Sequence, residues 1–416
     1  MHNNVVKSFS FVEWLDYIKK FGLSIRCSNF KNVIYIAKKL GILKLDAFIY
    51  MVGGTNGKGT TCVVLENIFL KLGYRVGLYT SPHLFNYTER VRINGFELEE
   101  YLHVLSFSNV ENARNSLPLT YYDFITLSAL YLFRHSQLDI VILEVGLGGR
   151  LDATNVINPN VSIVTNIQMD HIETLGNDRN LIGIEKIGIF RKNKIAIISE
   201  KNIPNIVKHI IYKNNIDIKL INRDWNYKRF KNIWAFISTN CCFLNLPLPK
   251  VSLINTATAL AAVTESQFSI NKKVIEYCID KVSLLGRCQI FSDNPKVILD
   301  VAHNNHATKY LSKKLMNMKG SGKIYAIVGI LKGKNILGIV TPLISIVDFW
   351  YCSKLKTNRS VFAEEIVQYL PIHCSKVVIS VEQAWIEIRS LVTVKDIIVI
   401  FGSFFTVKEI YKILNA

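Results

Sequence analysis

The nine residues 53–61, GGTNGKGTT, constrain this chain more than any other stretch. They separate DAFIYMV, which reads as a strand, from CVVLENIFLKLG, which reads as a helix. A glycine-rich turn at such a junction lets several backbone N–H groups point inward, and the first turn of the following helix adds unpaired donors. Gly54, Gly57 and Gly59 remove the Cβ where the chain must curl around phosphate oxygens. Lys58 is placed to bridge the β and γ phosphates, and Thr60 to offer a hydroxyl to Mg2+. The candidate nucleotide contacts therefore run through Gly54, Thr55, Asn56, Gly57, Lys58, Gly59, Thr60 and Thr61. One glycine more than the common Walker A form stands between lysine and threonine. The competing interpretation is an ordinary turn with incidental glycines, and phosphate binding alone does not name a reaction.

The rest of the chain repeats the strand-and-helix alternation. RVGLYTS, DIVILEV, VSIVTNI and KIAIIS predict short strands, and LTYYDFITLSALYLF a long apolar helix. Two helices precede them, over residues 11–20 and 29–40, the first with Trp14, Leu15 and Ile18 on one face. Strands that are apolar on both faces, alternating with helices, predict an α/β protein with a mostly parallel sheet covered on two sides. Residues 200–250 are less regular and rich in Asn and Lys. An alanine-rich helix is expected over residues 253–264, and a second αβ series begins near residue 296 with KVILDV. The chain is long and apolar enough for two cores, at 416 residues and 50% hydrophobic. The expected division is a P-loop domain over residues 1–289 and a smaller Rossmann-like α/β domain over 290–416.

Fifty basic against 32 acidic residues give a net charge of +18, without a long Lys/Arg tail. That excess suits nucleic acid, but equally ATP and carboxylate-rich small molecules. Eight cysteines without a CxxC pair fit a reduced, cytoplasmic protein. The N-terminus has no signal-like apolar stretch, and no uncharged run reaches membrane-spanning length.

Further segments carry chemistry-bearing residues. ILEVGLGGRLDATN places Glu144 at the C-terminal end of a strand, where open α/β sheets bind ligands and a carboxylate could hold Mg2+. An ordinary strand-end turn is the alternative. TNIQMDHIETLG puts Asp170 and His171 beyond the next strand, and His171 is either structural or a metal or nucleotide ligand. Lys186 lies in the apolar setting IGIEKIGIF, so it pairs with Glu185 or another acid, is chemically modified, or packs its stem and solvates its head. ILDVAHNNHA offers Asp300, His303, Asn304 and His306 after a strand, near Arg287. Their spacing matches no closed structural zinc site, and polar contacts to nucleotide or to domain closure fit better.

These segments together resemble the folylpolyglutamate synthase and dihydrofolate synthase family of Mur-type, ATP-dependent amide ligases. The likeness spans nearly the whole chain, from GGTNGKGTT and TSPHLFNYTERVRING through EVGLGGRLDATN, DHIETLG and IEKIGIF to INTATALAA, DVAHNNHA and FGSFFTV. It implies a P-loop domain followed by a Rossmann-like one, with chemistry in the cleft between them. It also implies that Thr60, Ser81, Glu144 and His171 serve magnesium, that Lys186 is carbamylated, and that Lys58, Lys186 and His171 are catalytic. Asn255, Arg287, Asp300 and His303 fall where the family contacts ATP. The reaction implied is ATP-dependent addition of L-glutamate to dihydropteroate, to reduced folates, or to both, through an acyl phosphate. The bacterial bifunctional form is the closest in length and wording. A monomer with small-molecule substrates, and with neither nucleic acid nor membrane as partner, is expected. The open alternatives are a monofunctional or degenerate member, or a basic P-loop protein that binds RNA or scaffolds a complex. The chain departs from the family pattern in FGLSIRCSNFKNV and at Leu285, Gly333, Asn335 and Phe405.

Overall fold

In the computed structural model the described residues are 9–22 and 29–415. Cys27 and much of the FGLSIRCSNFKNV departure lie outside them. The chain divides after Val282 into two compact units, seven residues ahead of the sequence expectation.

The first unit is built on an eight-stranded sheet. Its strands are β1 (Phe48–Gly53), β2 (Val76–Tyr79), β3 (Val91–Ile93), β4 (Phe96–Glu97), β5 (Ile140–Glu144), β6 (Val161–Val164), β7 (Ile195–Ile198) and β8 (Asp217–Leu220). They lie in the order β4-β3-β2-β5-β1-β6-β7-β8. Neighbours are parallel from β2 to β8, and β3 and β4 add an antiparallel edge. β5, β1 and β6 are apolar and almost wholly buried, as expected of strands covered on both faces. The register sets Val52 beside Glu144 and Gly53 beside Val164. The C-terminal ends of β5, β1 and β6 therefore lie side by side, and the loops that follow them share one rim.

The helices flank this sheet. Phe11–Lys19 starts in a capping box, where the Glu13 N–H reaches Ser10 Oγ and the Ser10 N–H reaches Glu13 Oε2 at 2.7 Å. Trp14 and Ile18, one turn apart, are fully buried, and Trp14 packs against Phe107 at 5.8 Å between ring centroids. The helix Lys58–Lys71 is buried around most of its circumference. On it, Glu66 is 2% exposed and is neutralised by Arg92 of β3, which ties this helix to the sheet edge.

Residues 200–250 hold more order than their composition suggested. The helix Asn205–Lys213 and β8 are followed by an antiparallel sheet of β9 (Trp225–Arg229), β10 (Ile233–Ser238) and β11 (Cys242–Pro247). Its buried Trp225, Trp234 and Phe236 are spaced among Asn and Lys residues that mask the two-residue period in the sequence.

The second unit carries a six-stranded sheet of β12 (Gln289–Asp293), β13 (Lys296–Leu299), β14 (Ile324–Val328), β15 (Phe349–Ser353), β16 (Ser375–Val378) and β17 (Ile397–Phe401). The order is β12-β13-β17-β14-β15-β16, parallel except for β12. Both units thus have the α/β architecture expected. Among the described residues, no helix is long and apolar enough to cross a membrane.

Trp14 joins the first helix to the core, so Trp14→Ala should cost about 3–5 kcal/mol. Urea unfolding of the two proteins checks this through a lower midpoint at an unchanged slope.

Candidate active site

The Lys58 loop, Ser81, Glu144 and Asn255 meet at the rim formed by β5, β1 and β6, and Asp170 and His171 lie in the segment that follows β6. β1 ends at Gly53, and the chain turns through residues 54–57 into the helix that begins at Lys58. Two glycines make this turn possible. Gly54 has φ +137°, and a Cβ there would lie 1.9 Å from Thr165 Oγ1. Gly57 has φ +87°, and a Cβ there would lie 2.4 Å from the Asn255 side chain. Asn255, on the helix Leu253–Thr264, thereby packs directly against the loop.

Lys58 Nζ donates to the carbonyls of Gly54 and Thr55 at 3.1 and 3.2 Å, so its ammonium lies over the loop. Thr60 and Thr61 are buried in the first helical turn, and Thr61 Oγ1 donates to the Gly57 carbonyl at 3.0 Å. Gly59 faces the end of β5, where its Cβ would meet the Glu144 carboxylate at 3.5 and 3.6 Å. Glu144 is 4% exposed, and its Oε2 accepts the Ser81 N–H at 2.9 Å. A buried carboxylate, the start of the helix Lys58–Lys71 and the segment after β2 therefore meet in one place.

Lys186 lies on the helix Arg179–Ile187 and is almost wholly buried. Its amine makes no hydrogen bond or ion pair among the described residues. Glu185, the carboxylate beside it in sequence, bonds Arg150 at 2.7 and 2.9 Å instead. Burial pushes the Lys186 amine down to about 7, repulsion from Lys58 adds to the shift, and the Asp170 carboxylate opposes it. Two lysines thus face one electrostatic environment, and the buried one is the one whose charge is disfavoured. Asp170 is buried and accepts the His171 N–H at 2.9 Å, while the His171 Nε2 lies 4.0 Å from Asp170 Oδ2. The His171 ring is half-exposed, with its backbone in the left-handed region.

The turn after β5 is held from within. Asp152 is buried and accepts the N–H groups of Gly146, Leu147 and Thr154, each at 3.0 Å. Burial raises its carboxyl pKa, and these donors oppose the rise. Sequence reasoning passed over Asp152, although three glycines close before an aspartate are the signal of a turn that needs an acceptor. It also passed over Asn166, which bonds the loop backbone.

In the second unit, Arg287, Asp300 and His303 form a group of their own. Asp300 accepts the Cys288 and Ala302 N–H groups at 2.7 Å, and its pKa is raised by burial against the attraction of Arg287. His303 Nδ1 lies 2.8 Å from the Val301 carbonyl. The Arg287 guanidinium sits 5.3 Å from the Phe404 ring. Phe405, where the family pattern differs, is 38% exposed, and Leu285 is also exposed. Gly333 has φ +79°, and Asn335 caps the helix Ile336–Ile344 through the Gly338 N–H at 2.9 Å.

The set expected to serve magnesium contains one carboxylate, one imidazole and two hydroxyl groups, and among the described residues no three His, Cys, Asp or Glu side chains form a metal-holding group. This fits a hard cation that takes few protein oxygens and keeps water and phosphate ligands.

Residues 52–263 match the Mur ligase middle domain and residues 286–404 the Mur ligase glutamate ligase domain. The chain is 52% identical over 415 residues to the dihydrofolate synthase/folylpolyglutamate synthase of Buchnera aphidicola subsp. Baizongia pistaciae, covering 100% of this chain and 97% of that protein. Escherichia coli FolC in complex with DHPP and ADP superposes with a TM-score of 0.95 at 42% identity, over 98% of both chains. A bifunctional folylpolyglutamate synthase/dihydrofolate synthase with Mn, AMPPNP and L-glutamate bound superposes with a TM-score of 0.93 at 39% identity, over 99% of both.

The environment of Lys186 gives a stability signature. A buried amine whose pKa falls from 10.5 to about 7 binds fewer protons folded than unfolded between those values. Its destabilising effect is full below pH 7 and fades as pH rises toward 10.5. In bicarbonate-free buffer, Lys186→Met should therefore melt above the parent chain near neutral pH, by an amount on the order of several kcal/mol. The gap should narrow at higher pH. Paired thermal melts across that range test the assignment, and a gap independent of pH would contradict it.

Proposed function

Since this chain belongs to the Mur ligase family, in its dihydrofolate synthase/folylpolyglutamate synthase branch, we propose that it adds L-glutamate to dihydropteroate and to reduced folates at the expense of ATP. The observation that carries this reading is the meeting of the Lys58 loop with buried Glu144 at one sheet rim, in a chain that matches its relatives over almost their whole length.

A carboxylate is a poor electrophile because its leaving group is poor. Transfer of the ATP γ phosphate to the substrate carboxylate gives an acyl phosphate, and the amine of L-glutamate then displaces phosphate to form the amide. Lys58 and the N–H groups of Gly57, Gly59 and Thr60 hold the phosphate oxygens and oppose the charge that shifts between them. Asn255, packed on Gly57, fixes the nucleotide side of the loop. Arg287, Asp300 and His303 are the proposed nucleotide contacts of the second unit. Glu144, with Thr60, Ser81 and His171, would hold Mg2+, which supplies charge neutralisation on the phosphates.

Lys186 is proposed to act as its carbamate. A neutral amine attacks carbon dioxide through its nitrogen lone pair and releases a proton, which a lysine near pKa 7 can do at neutral pH. The product is an anion beside Lys58, so an unfavourable pair of cations becomes an attractive pair.

The same reading makes the enzyme a cytoplasmic monomer. The seven cysteines among the described residues are all unpaired, which suits a reducing compartment.

The test supplies purified protein with ATP, Mg2+, L-glutamate and either dihydropteroate or tetrahydrofolate. Mass spectrometry should find a product one glutamyl residue heavier in each case. Lys58→Ala should lower turnover by about a hundredfold or more while leaving the melting temperature close to the parent value. Absence of acceptor-dependent phosphate release from the parent protein would overturn the reading.

A further inference from the structure

The nucleotide loop is held from one side by the segment that follows β6. The Asn166 side chain grips both polar groups of a single loop residue: its Oδ1 accepts the Asn56 N–H at 2.9 Å, and its Nδ2 donates to the Asn56 carbonyl at 2.9 Å. Thr165 Oγ1 donates to the same carbonyl at 2.7 Å. The backbones are laced as well, with the Thr55 N–H on the Asn166 carbonyl at 3.0 Å and Thr55 Oγ1 accepting the Gln168 N–H at 3.0 Å. The 166–168 segment is itself fixed, since Glu200 Oε2 accepts the Ile167 N–H at 3.1 Å and the Gln168 side-chain N–H at 2.9 Å.

This grip decides the direction of two peptide planes. In a trans peptide the carbonyl and the following N–H point opposite ways. Drawing the Asn56 carbonyl toward Asn166 therefore turns the Gly57 N–H away from β6. Drawing the Asn56 N–H the same way turns the Thr55 carbonyl outward, where Lys58 Nζ meets it at 3.2 Å. A glycine at 57 has no side chain to resist a flip of this peptide, and its φ of +87° shows how far the backbone departs from the common regions. The orientation must be imposed from outside the loop, and Asn166 does so with a donor and an acceptor at once.

We propose that Asn166 is a positioning residue for the nucleotide: its amide clamps the backbone of Asn56 and so aims the Gly57 N–H at the phosphates. This rests on reading residues 54–61 as the nucleotide loop. An amide suits the task because it presents one donor and one acceptor side by side, matching the N–H and carbonyl of one residue. Ionised aspartate has the same shape but sets a second acceptor against the Asn56 carbonyl. The protonated acid restores the match.

The experiment titrates ADP, with Mg2+, into the full-length parent chain, Asn166→Ala and Asn166→Asp, alongside dihydropteroate titrations and thermal melts. Failure of the parent chain to bind ADP would sink the nucleotide reading itself, and the clamp with it. With the parent binding, Asn166→Ala should raise the Kd for ADP about ten- to a hundredfold, the scale on which misaimed groups act. Its dihydropteroate affinity and melting temperature should stay near the parent values. Asn166→Asp should bind ADP as weakly as the alanine variant at about pH 8.5. Its affinity relative to the parent at the same pH should then rise as the pH is lowered toward about 4, where the carboxyl gains its proton. An alanine variant with parental ADP affinity would overturn the proposal. So would an aspartate variant whose ratio to the parent is flat with pH, or an alanine variant that loses both ligands together with its fold.

Discussion

The parallel register of β1 between β5 and β6 is the constraint on which the rest depends. Because Val52 lies beside Glu144 and Gly53 beside Val164, three consecutive loops leave the sheet at one level. The first delivers a carboxylate, the second a cluster of backbone donors, and the third the side chains that hold that cluster in shape. A slip of one residue in either pairing would turn each of these side chains to the opposite face. The site is therefore a property of strand pairing, and the apolar burial of β5, β1 and β6 is what fixes that pairing.

Burial then acts a second time, on charge. An ammonium removed from water beside another ammonium is costly, and burial together with repulsion from Lys58 pushes the Lys186 amine down to about 7. Glu185, next to it on the same helix, projects in another direction and bonds Arg150 instead.

Much of this was legible in the sequence, for physical reasons. Glu144 ends a strand, and Lys58 and His171 lie in segments that follow strands, which hydrophobic runs followed by glycine or by polar loops mark clearly. Asn255 owed its assignment to the family resemblance, because an asparagine inside an alanine-rich helix has no local signature of nucleotide contact. The sheet of β9 to β11 escaped because its buried aromatic residues are diluted by surface Asn and Lys. Asn166 escaped for a different reason. It was quoted within its segment, but its role is defined by a partner 110 positions away in the chain, and no periodicity encodes that meeting.

The sheet ends on one side in β4, a strand of only two residues whose side chains are exposed. An open edge of an apolar sheet is a template on which further chains can line up and pair their backbones. Here the antiparallel turn back through β3 and β4 leaves too few free N–H and carbonyl groups to recruit another strand. That short hem lets the long apolar strands behind it stay inside one molecule rather than seed a fibre.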